Sequence, residues 1–310
     1  MRTGVLFQLY LHSQATILTS SAGCSTGNME NQQVYNDVQK HYGLAARTSD
    51  DNAYSRKVAA AFGYSEEELA NTPANANLGL SCGNPLALAN LKEGECVIDL
   101  GSGAGFDVFL AAKAVGSTGK VIGVDMNKDM LERAKKNKED AKAENVSFID
   151  SQITAINLPD SVANCIISNC VVNLVPESEK QLVFNEMFRL LKPGGRVAIS
   201  DILAKKPLPT EIRNSVALCV GCIAGASQVE NYEKYLRKAG FDEVLIVDTK
   251  SNLNVYTTAK DDGQATSGCG PKSKPGCCSG GVVSADSAAE VANVDFNEWA
   301  GSFKIYAIKA

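Results

Sequence analysis

The sequence predicts an α/β protein with a Rossmann-like, mostly parallel sheet covered by helices on both faces, and three observations carry that prediction. First, the apolar run Val97-Ile98-Asp99-Leu100 leads into Gly101-Ser102-Gly103-Ala104-Gly105 and then into helix-forming sequence. Second, about twenty residues on, Val121-Ile122-Gly123-Val124-Asp125 reads as another strand with an acid at its carboxyl end. Third, strand-like and helix-like segments alternate from residue 97 to residue 200, the pattern of parallel strands joined by right-handed crossovers.

Alternate glycines let a turn approach a ligand closely, and the helix behind it offers unpaired N–H groups and a partial positive charge. The dinucleotide fingerprint wants glycine at its first, third and sixth positions; Phe106 stands at the sixth, so a mononucleoside without a pyrophosphate fits better. A glycine turn alone also fits a tight strand-to-helix corner. Asp125 outweighs that reading, because a carboxylate there accepts both ribose hydroxyls, while Asp99 offers a second carboxylate for the cationic end of an amino acid. Asp150 to Ile153 reads as the loop that flanks a base. Ligands of such sheets gather at the carboxyl ends of the strands, so the loops of Gly101, Asp125, Ile153 and Cys170 are expected to meet in one cleft.

In chain order, residues 1–32 read as a disordered leader: the apolar run Val5 to Leu11 is too short to span a bilayer and lacks a charged flank. Residues 33–95 read as N-terminal helices and a cysteine loop. Val34, Tyr35, Val38 and Tyr42 recur at helical spacing over Gln33 to Tyr42, Thr48 to Asn52 is a polar loop, Ser65 with Glu68 forms a capping box ahead of Leu69, and Asn77 to Pro85 is rich in breakers. Residues 96–204 form the nucleotide-binding domain, with a helix over Lys128 to Lys142, strands over Val146 to Ile149 and Ala163 to Ser168, a helix over Glu177 to Leu191 ending in Lys192-Pro193-Gly194-Gly195, and a strand over Arg196 to Ser200. In 205–260, Thr210 to Val220 and Val229 to Ala239 read as helices and Glu243 to Asp248 as a strand. Residues 261–295 contain a Gly/Ser/Lys-rich insertion with Cys269, Cys277 and Cys278, and 296–310 end in an alternating strand over Ser302 to Lys309.

A chain of 310 residues with 45% hydrophobic and 21% charged residues is globular, and its net charge of -5 gives no reason to expect nucleic acid. Nothing in it calls for a membrane. Ten cysteines without a convincing signal peptide imply a reducing, cytoplasmic setting and soft-ion or thiol chemistry in place of a disulfide framework. Cys96 and Cys165 fall in strands, where cysteine acts as a small hydrophobe. Cys82, Cys170 and Cys222 stand in loops, and three converging thiols select a thiophilic centre; Cys219 is an alternative ligand. The two histidines, His12 and His41, lie in the N-terminal segment, so the cleft is expected to lack an imidazole base. Strand four ends in Ser-Asn-Cys-Val-Val, which brings Cys170 to its carboxyl end.

Asp99 to Asp107 resembles the first motif of the class I S-adenosylmethionine-dependent methyltransferases. Together with Asn77 to Pro85, Gly123 to Met126, Ser168 to Leu174, Leu191 to Gly195, Ser200-Asp201 and Gly221 to Ala226, it closely resembles the arsenite S-adenosylmethionine methyltransferases, from about Val34 to Asp248 and again in the last strand. The resemblance implies a seven-stranded methyltransferase domain, an arsenic-binding region over 205–260, and As(III) held by Cys82, Cys170 and Cys222. It implies S-adenosyl-L-methionine bound by Asp99, Gly101, Gly103, Gly105, Asp125, Met126, Ile153 and Asn169. The expected partners are arsenite or its thiol conjugates and a reductant of the glutathione or thioredoxin type, with the protein a monomer. Many members carry a further cysteine soon after the Tyr-Gly matching Tyr42-Gly43; Thr48 to Asn52 has none, which leaves Cys82 to draw on Cys219, the Cys277/Cys278 tail or external thiols. The rival readings are a methyltransferase of a small organic molecule and a non-enzymatic thiophilic-metal buffer.

Overall fold

The computed structural model describes residues 26–49, 53–210, 221–255 and 295–310. The leader apart from its last residues, the expected helix over Thr210 to Val220 apart from Thr210, and the cysteine-bearing insertion apart from residue 295 lie outside these residues, as do Cys24, Cys219, Cys269, Cys277 and Cys278.

Seven strands form one sheet: β1 (Cys96–Leu100), β2 (Lys120–Asp125), β3 (Val146–Asp150), β4 (Ala163–Asn169), β5 (Leu191–Ala204), β6 (Glu243–Asp248) and β7 (Ala300–Ile308), in the order β3-β2-β1-β4-β5-β7-β6. The pairs from β3 to β5 are parallel, and β7 runs antiparallel between β5 and β6. Both faces are covered. Ile98, Leu100, Ile122, Val124 and Ile166 fill one core, and Val97, Val121, Cys165, Ile167 and Ala198 fill the other. Burial on both faces is why these strands read as continuous apolar runs and not as alternation. Cys165 sits wholly inside, its thiol pushed up to about 12 by burial, which bears out its reading as a small hydrophobe.

The helices are α1 (Thr26–Thr48), α2 (Ala53–Ala61), α3 (Glu66–Ala70), α4 (Leu86–Ala89), α5 (Phe106–Val115), α6 (Lys128–Ala141), α7 (Lys180–Leu190), α8 (Gly221–Ala224), α9 (Val229–Ala239) and α10 (Phe296–Trp299), with a 3₁₀ turn at Val172–Leu174. α1 is longer than the apolar spacing predicts because its polar first turns have partners on the body: Asn31 donates to Ser178 and Glu179. α2 escapes the spacing rule because its buried residues, Ser55, Val58 and Ala59, are mostly small. The capping box of α3 is formed as predicted, with Ser65 Oγ accepting from the Glu68 amide. β5 extends well past the predicted Arg196 to Ser200 at both ends, since β7 pairs along it from Arg196 to Ala204 and Leu191 aligns with Ala163 across an irregularity. α7 starts three residues later than expected, after Pro176 to Glu179 form a turn.

The strand order reverses between β1 and β4, so the loops after them diverge to opposite sides and open a crevice. The glycine turn leaves β1 and Cys170 follows β4. α1 lies over this crevice, contributing Tyr35, Gln39 and Tyr42 to its wall.

Candidate active site

The crevice has a nucleotide half built from the ends of β1, β2 and β3. Asp125 closes β2, and its carboxylate accepts the Gly103 and Asn127 amides, each at 2.8 Å, which fixes the glycine turn around it. Gly101 has φ of +72°, and a Cβ there would lie 2.4 Å from Val171. Only glycine lets the two loops pass this closely. Asp99, Gly101, Gly103, Asp125, Met126, Ile153 and Asn169 all line the cleft, as does Cys170. Gly105 does not. It begins α5 with φ of +93°, and a Cβ there would meet Phe109 at 2.7 Å and Phe148 at 3.0 Å, so its task is packing.

Three further observations characterise this half. Asp107 and Asp125 both lie close enough to Asp99 to repel its charge, and no lysine, arginine or histidine among the described residues lines the cleft. Burial first, and the charges of Asp107 and Asp125 second, push Asp99 well above the usual carboxylate range. Burial raises Asp107 to about 6 against the hydrogen bonds from Tyr64 (2.6 Å) and Asn169 (3.0 Å). Finally, Ser102 Oγ and Asn77 Nδ2 line the cleft and are buried without a hydrogen-bond partner among the described residues. Buried polar atoms rarely go unsatisfied. A pocket lined by carboxylates with orphaned polar groups fits a ligand that carries net positive charge and several hydroxyls and ring nitrogens, which S-adenosylmethionine is. Asp107, which lines the cleft, and Tyr64, which donates to it from behind, are missing from the sequence-based set because their meeting depends on how α5 and the residues after α2 pack.

The thiol half lies at the end of β4. Cys170 adopts the left-handed region with φ of +63°, which is uncommon for a residue with a side chain and marks a constrained site. Its amide donates to the Ser200 carbonyl at 2.9 Å. Cys82 comes from the loop ahead of α4, with its amide donating to Asn169 Oδ1 (3.2 Å) and its carbonyl accepting from Ser302 Oγ (2.6 Å). Cys82 and Cys170 are joined by a disulfide with 5.8 Å between their Cα atoms. Two of the three expected arsenic ligands thus share one bond in this state, while Cys219 and the Cys277/Cys278 tail lie outside the described residues.

Cys222, in α8, is buried beside this pair, its Sγ 3.4 Å from the Cys170 carbonyl and 3.8 Å from the Tyr42 hydroxyl. All three cysteines belong to one apolar cluster with Val58, Phe62, Ile202 and Ile223. Burial pushes the Cys222 thiol up to about 12, and the charge of Asp201 adds to the rise. Asp201, within β5, has a carboxylate oxygen within 4.8 Å of both Cys82 and Cys170 sulfurs and is held by Asn173 (2.9 Å), Tyr232 (2.5 Å) and its neighbour's amide (2.9 Å). Burial raises it to about 6. Sequence reasoning passed over Asp201, although its strand lies next to β4 and the Ser200-Asp201 pair was the available signal.

Asn169 joins the halves. Its Oδ1 takes the Cys82 amide, while its Nδ2 lies within hydrogen-bond distance of Asp107 (3.0 Å), the Tyr64 hydroxyl (2.9 Å) and the Gly83 carbonyl (2.9 Å).

The family model of a methyltransferase domain matches residues 91–240. Arsenite methyltransferases align with the chain: that of Halobacterium salinarum is 48% identical over 184 residues, covering 59% of this chain and 46% of the relative, and that of Homo sapiens is 32% identical over 226 residues, covering 69% and 59%. The chain thus spans about half the length of the curated relatives it matches. Among solved structures, an arsenic(III) S-adenosylmethionine methyltransferase from Chlamydomonas reinhardtii superposes with a TM-score of 0.52 at 28% identity, covering 82% of this chain and 73% of that one. A Haemonchus contortus phosphoethanolamine N-methyltransferase, at 19% identity and a TM-score of 0.56, shares the fold. Fold, cofactor cleft and family model together mark residues 91–240 as an S-adenosylmethionine-dependent methyltransferase domain, in a chain similar to arsenite methyltransferases.

Proposed function

We propose that the chain transfers methyl groups from S-adenosylmethionine to trivalent arsenic bound by Cys82, Cys170 and Cys222. The observation that carries this reading is the position of Cys170. It lines the cofactor cleft, is bonded to Cys82, and offers its carbonyl to Cys222, so the thiol set opens directly onto the methyl-donor pocket.

Asp99, Asp107 and Asp125 hold the cationic portion and the ribose, Gly101 and Gly103 set the approach distance, Met126 and Ile153 flank the base, and Asn169 aligns the cleft with Cys82. When bound there, S-adenosylmethionine supplies an electrophilic methyl group on a sulfonium to the lone pair of thiol-bound arsenic, leaving S-adenosylhomocysteine. Before arsenic enters, the Cys82–Cys170 bond is reduced: two external thiols deliver two electrons and two protons and leave as a disulfide. A reductant of the glutathione or thioredoxin type, in the cytoplasm, fits that need. Arsenite then condenses with three thiols, each As–OH and S–H giving an As–S bond and one water. The complex is uncharged, so an apolar cluster that holds Cys222 protonated still favours it. Three sulfur ligands select against oxygen-seeking ions, and positioning of acceptor against donor does most of the catalysis. The chain acts as a monomer, without nucleic acid or membrane partner; no helix among the described residues is long and apolar enough to cross a membrane.

The test is incubation of the purified protein with arsenite, a thiol reductant and S-adenosylmethionine, followed by separation of arsenic species. Methylated arsenicals and equimolar S-adenosylhomocysteine are expected. Cys170→Ser should abolish turnover while the cofactor Kd stays within about twofold, because the serine leaves the cofactor-binding groups in place. A methyltransferase of organic molecules would be indifferent to that substitution, and a metal buffer would bind arsenite without consuming the methyl donor.

A further inference from the structure

Lys180, at the start of α7, is 1% exposed and does not line the cleft. A buried ammonium is tolerated only where its donors are matched, and each of its three has an acceptor: the Gly225 carbonyl at 2.6 Å, Ser227 Oγ at 2.7 Å and the Glu177 carboxylate at 2.9 Å. Ser227 in turn donates to Glu177 at 3.0 Å. Two of these three partners belong to the segment that follows Cys222.

That segment is seated on the turn that follows Cys170. The Gly225 backbone is so close to Asn173 that a Cβ on it would stand 2.0 Å from the Asn173 carbonyl oxygen. The Ser227 amide donates to Asn173 Oδ1 at 3.5 Å, while Asn173 Nδ2 donates to Asp201 and to the Ile202 carbonyl. The described part of α8 is thus tied to the body by the contacts of the residues that follow it. Lys180 supplies two of them from a helix anchored in the main core through Val183, Phe184 and Met187.

We propose that Lys180 is a positioning residue for the third thiol: by gripping Gly225 and Ser227 its ammonium seats Cys222 against Cys170, and without it the arsenic-binding set shrinks to Cys82 and Cys170. The consequence for arsenic rests on the function proposed above, but the seating is measurable without arsenic.

The experiment follows iodoacetamide alkylation of Cys222 by peptide mass spectrometry in protein with the Cys82–Cys170 disulfide intact, using Cys165 in the centre of β4 as internal reference. Opening of the whole domain exposes both thiols, whereas release of the α8 segment exposes Cys222 alone. Lys180→Met should speed Cys222 alkylation about tenfold with Cys165 unchanged, and Lys180→Arg should recover part of the protection. Ser227→Ala, which leaves the ammonium in place, should act in the same direction with smaller effect, and it decides the question if Lys180→Met does not fold. In reduced protein titrated with arsenite, Lys180→Met should change the near-ultraviolet arsenic–sulfur absorption from that of three ligands to that of two, with S-adenosylmethionine affinity held within about twofold. Equal acceleration of both thiols, or of neither, in every variant that folds overturns the proposal. If the wild-type protein takes up no arsenite, the arsenic reading fails while the alkylation ratio still judges Lys180.

Discussion

At the scale of single residues, the site is governed by backbone shape and buried charge. Gly101 and Gly194 have nearly the same positive φ, +72° and +74°, but a Cβ at Gly101 collides with Val171 while nothing lies within 4 Å of one at Gly194. Alanine at either position costs about 1 kcal/mol of backbone strain. Only Gly101→Ala also displaces Val171 and, through it, Cys170, so it should weaken cofactor binding by at least about tenfold in calorimetry while Gly194→Ala leaves binding unchanged. Asp201 acts by charge: it raises the Cys222 thiol beyond what burial does. Asp201→Asn should therefore shift the pH profile of Cys222 alkylation toward lower pH, and an unmoved profile would show that burial alone sets that thiol.

At the scale of elements, α1 closes the cleft, and its carboxyl end is tied to the body from α6. Arg133 donates to the Ala46 carbonyl (2.7 Å) and to the Asn75 carbonyl (2.8 Å), joining α1 to the loop that leads to Asn77 and Leu78. Asn127 donates to the Gln39 carbonyl at 2.8 Å, and the exposed pair Arg47–Asp129 adds little by itself. Arg133→Ala should raise the cofactor Kd several-fold and speed amide exchange in α1, with the exchange of β1 and β4 unaffected, since local opening is set by the contacts of the element that opens. Equal exchange changes in the strands would place Arg133 in the global fold and not in the lid.

For the whole molecule, buried carboxylates on the two sides of the site make stability depend on pH. Asp107 and Asp201 are raised from 3.8 to about 6 by burial. The folded chain therefore binds protons more tightly than the unfolded one, and this contribution is complete below about pH 4 and fades as pH rises through 6. Glu95 and Glu186 work in the opposite direction, since hydrogen bonds to Arg196 and Arg189 hold them below their ordinary value and their contribution grows with pH. A cationic ligand in the cleft favours the ionised forms of Asp99 and Asp107. The rise in Tm produced by saturating S-adenosylmethionine should consequently widen between pH 5 and pH 7, and a constant increment would separate cofactor binding from the ionisation of these groups.

The chain's order along one dimension settled much of this protein: apolar runs too long to alternate can only be strands buried on both faces, glycines at alternate positions demand a close turn, and an acid closing the next strand belongs beside it. Those features are local, and with them came the sheet, the cofactor cleft and the three cysteines. The covalent partner of Cys82, the packing task of Gly105, the place of Asp107 and Asp201, and the grip of Lys180 on the Cys222 segment were decided by the tertiary structure. Each depends on segments far apart in the chain meeting within a few ångströms, as Cys82 and Cys170 do across 88 positions, and no local pattern records which distant groups will share a low-dielectric pocket.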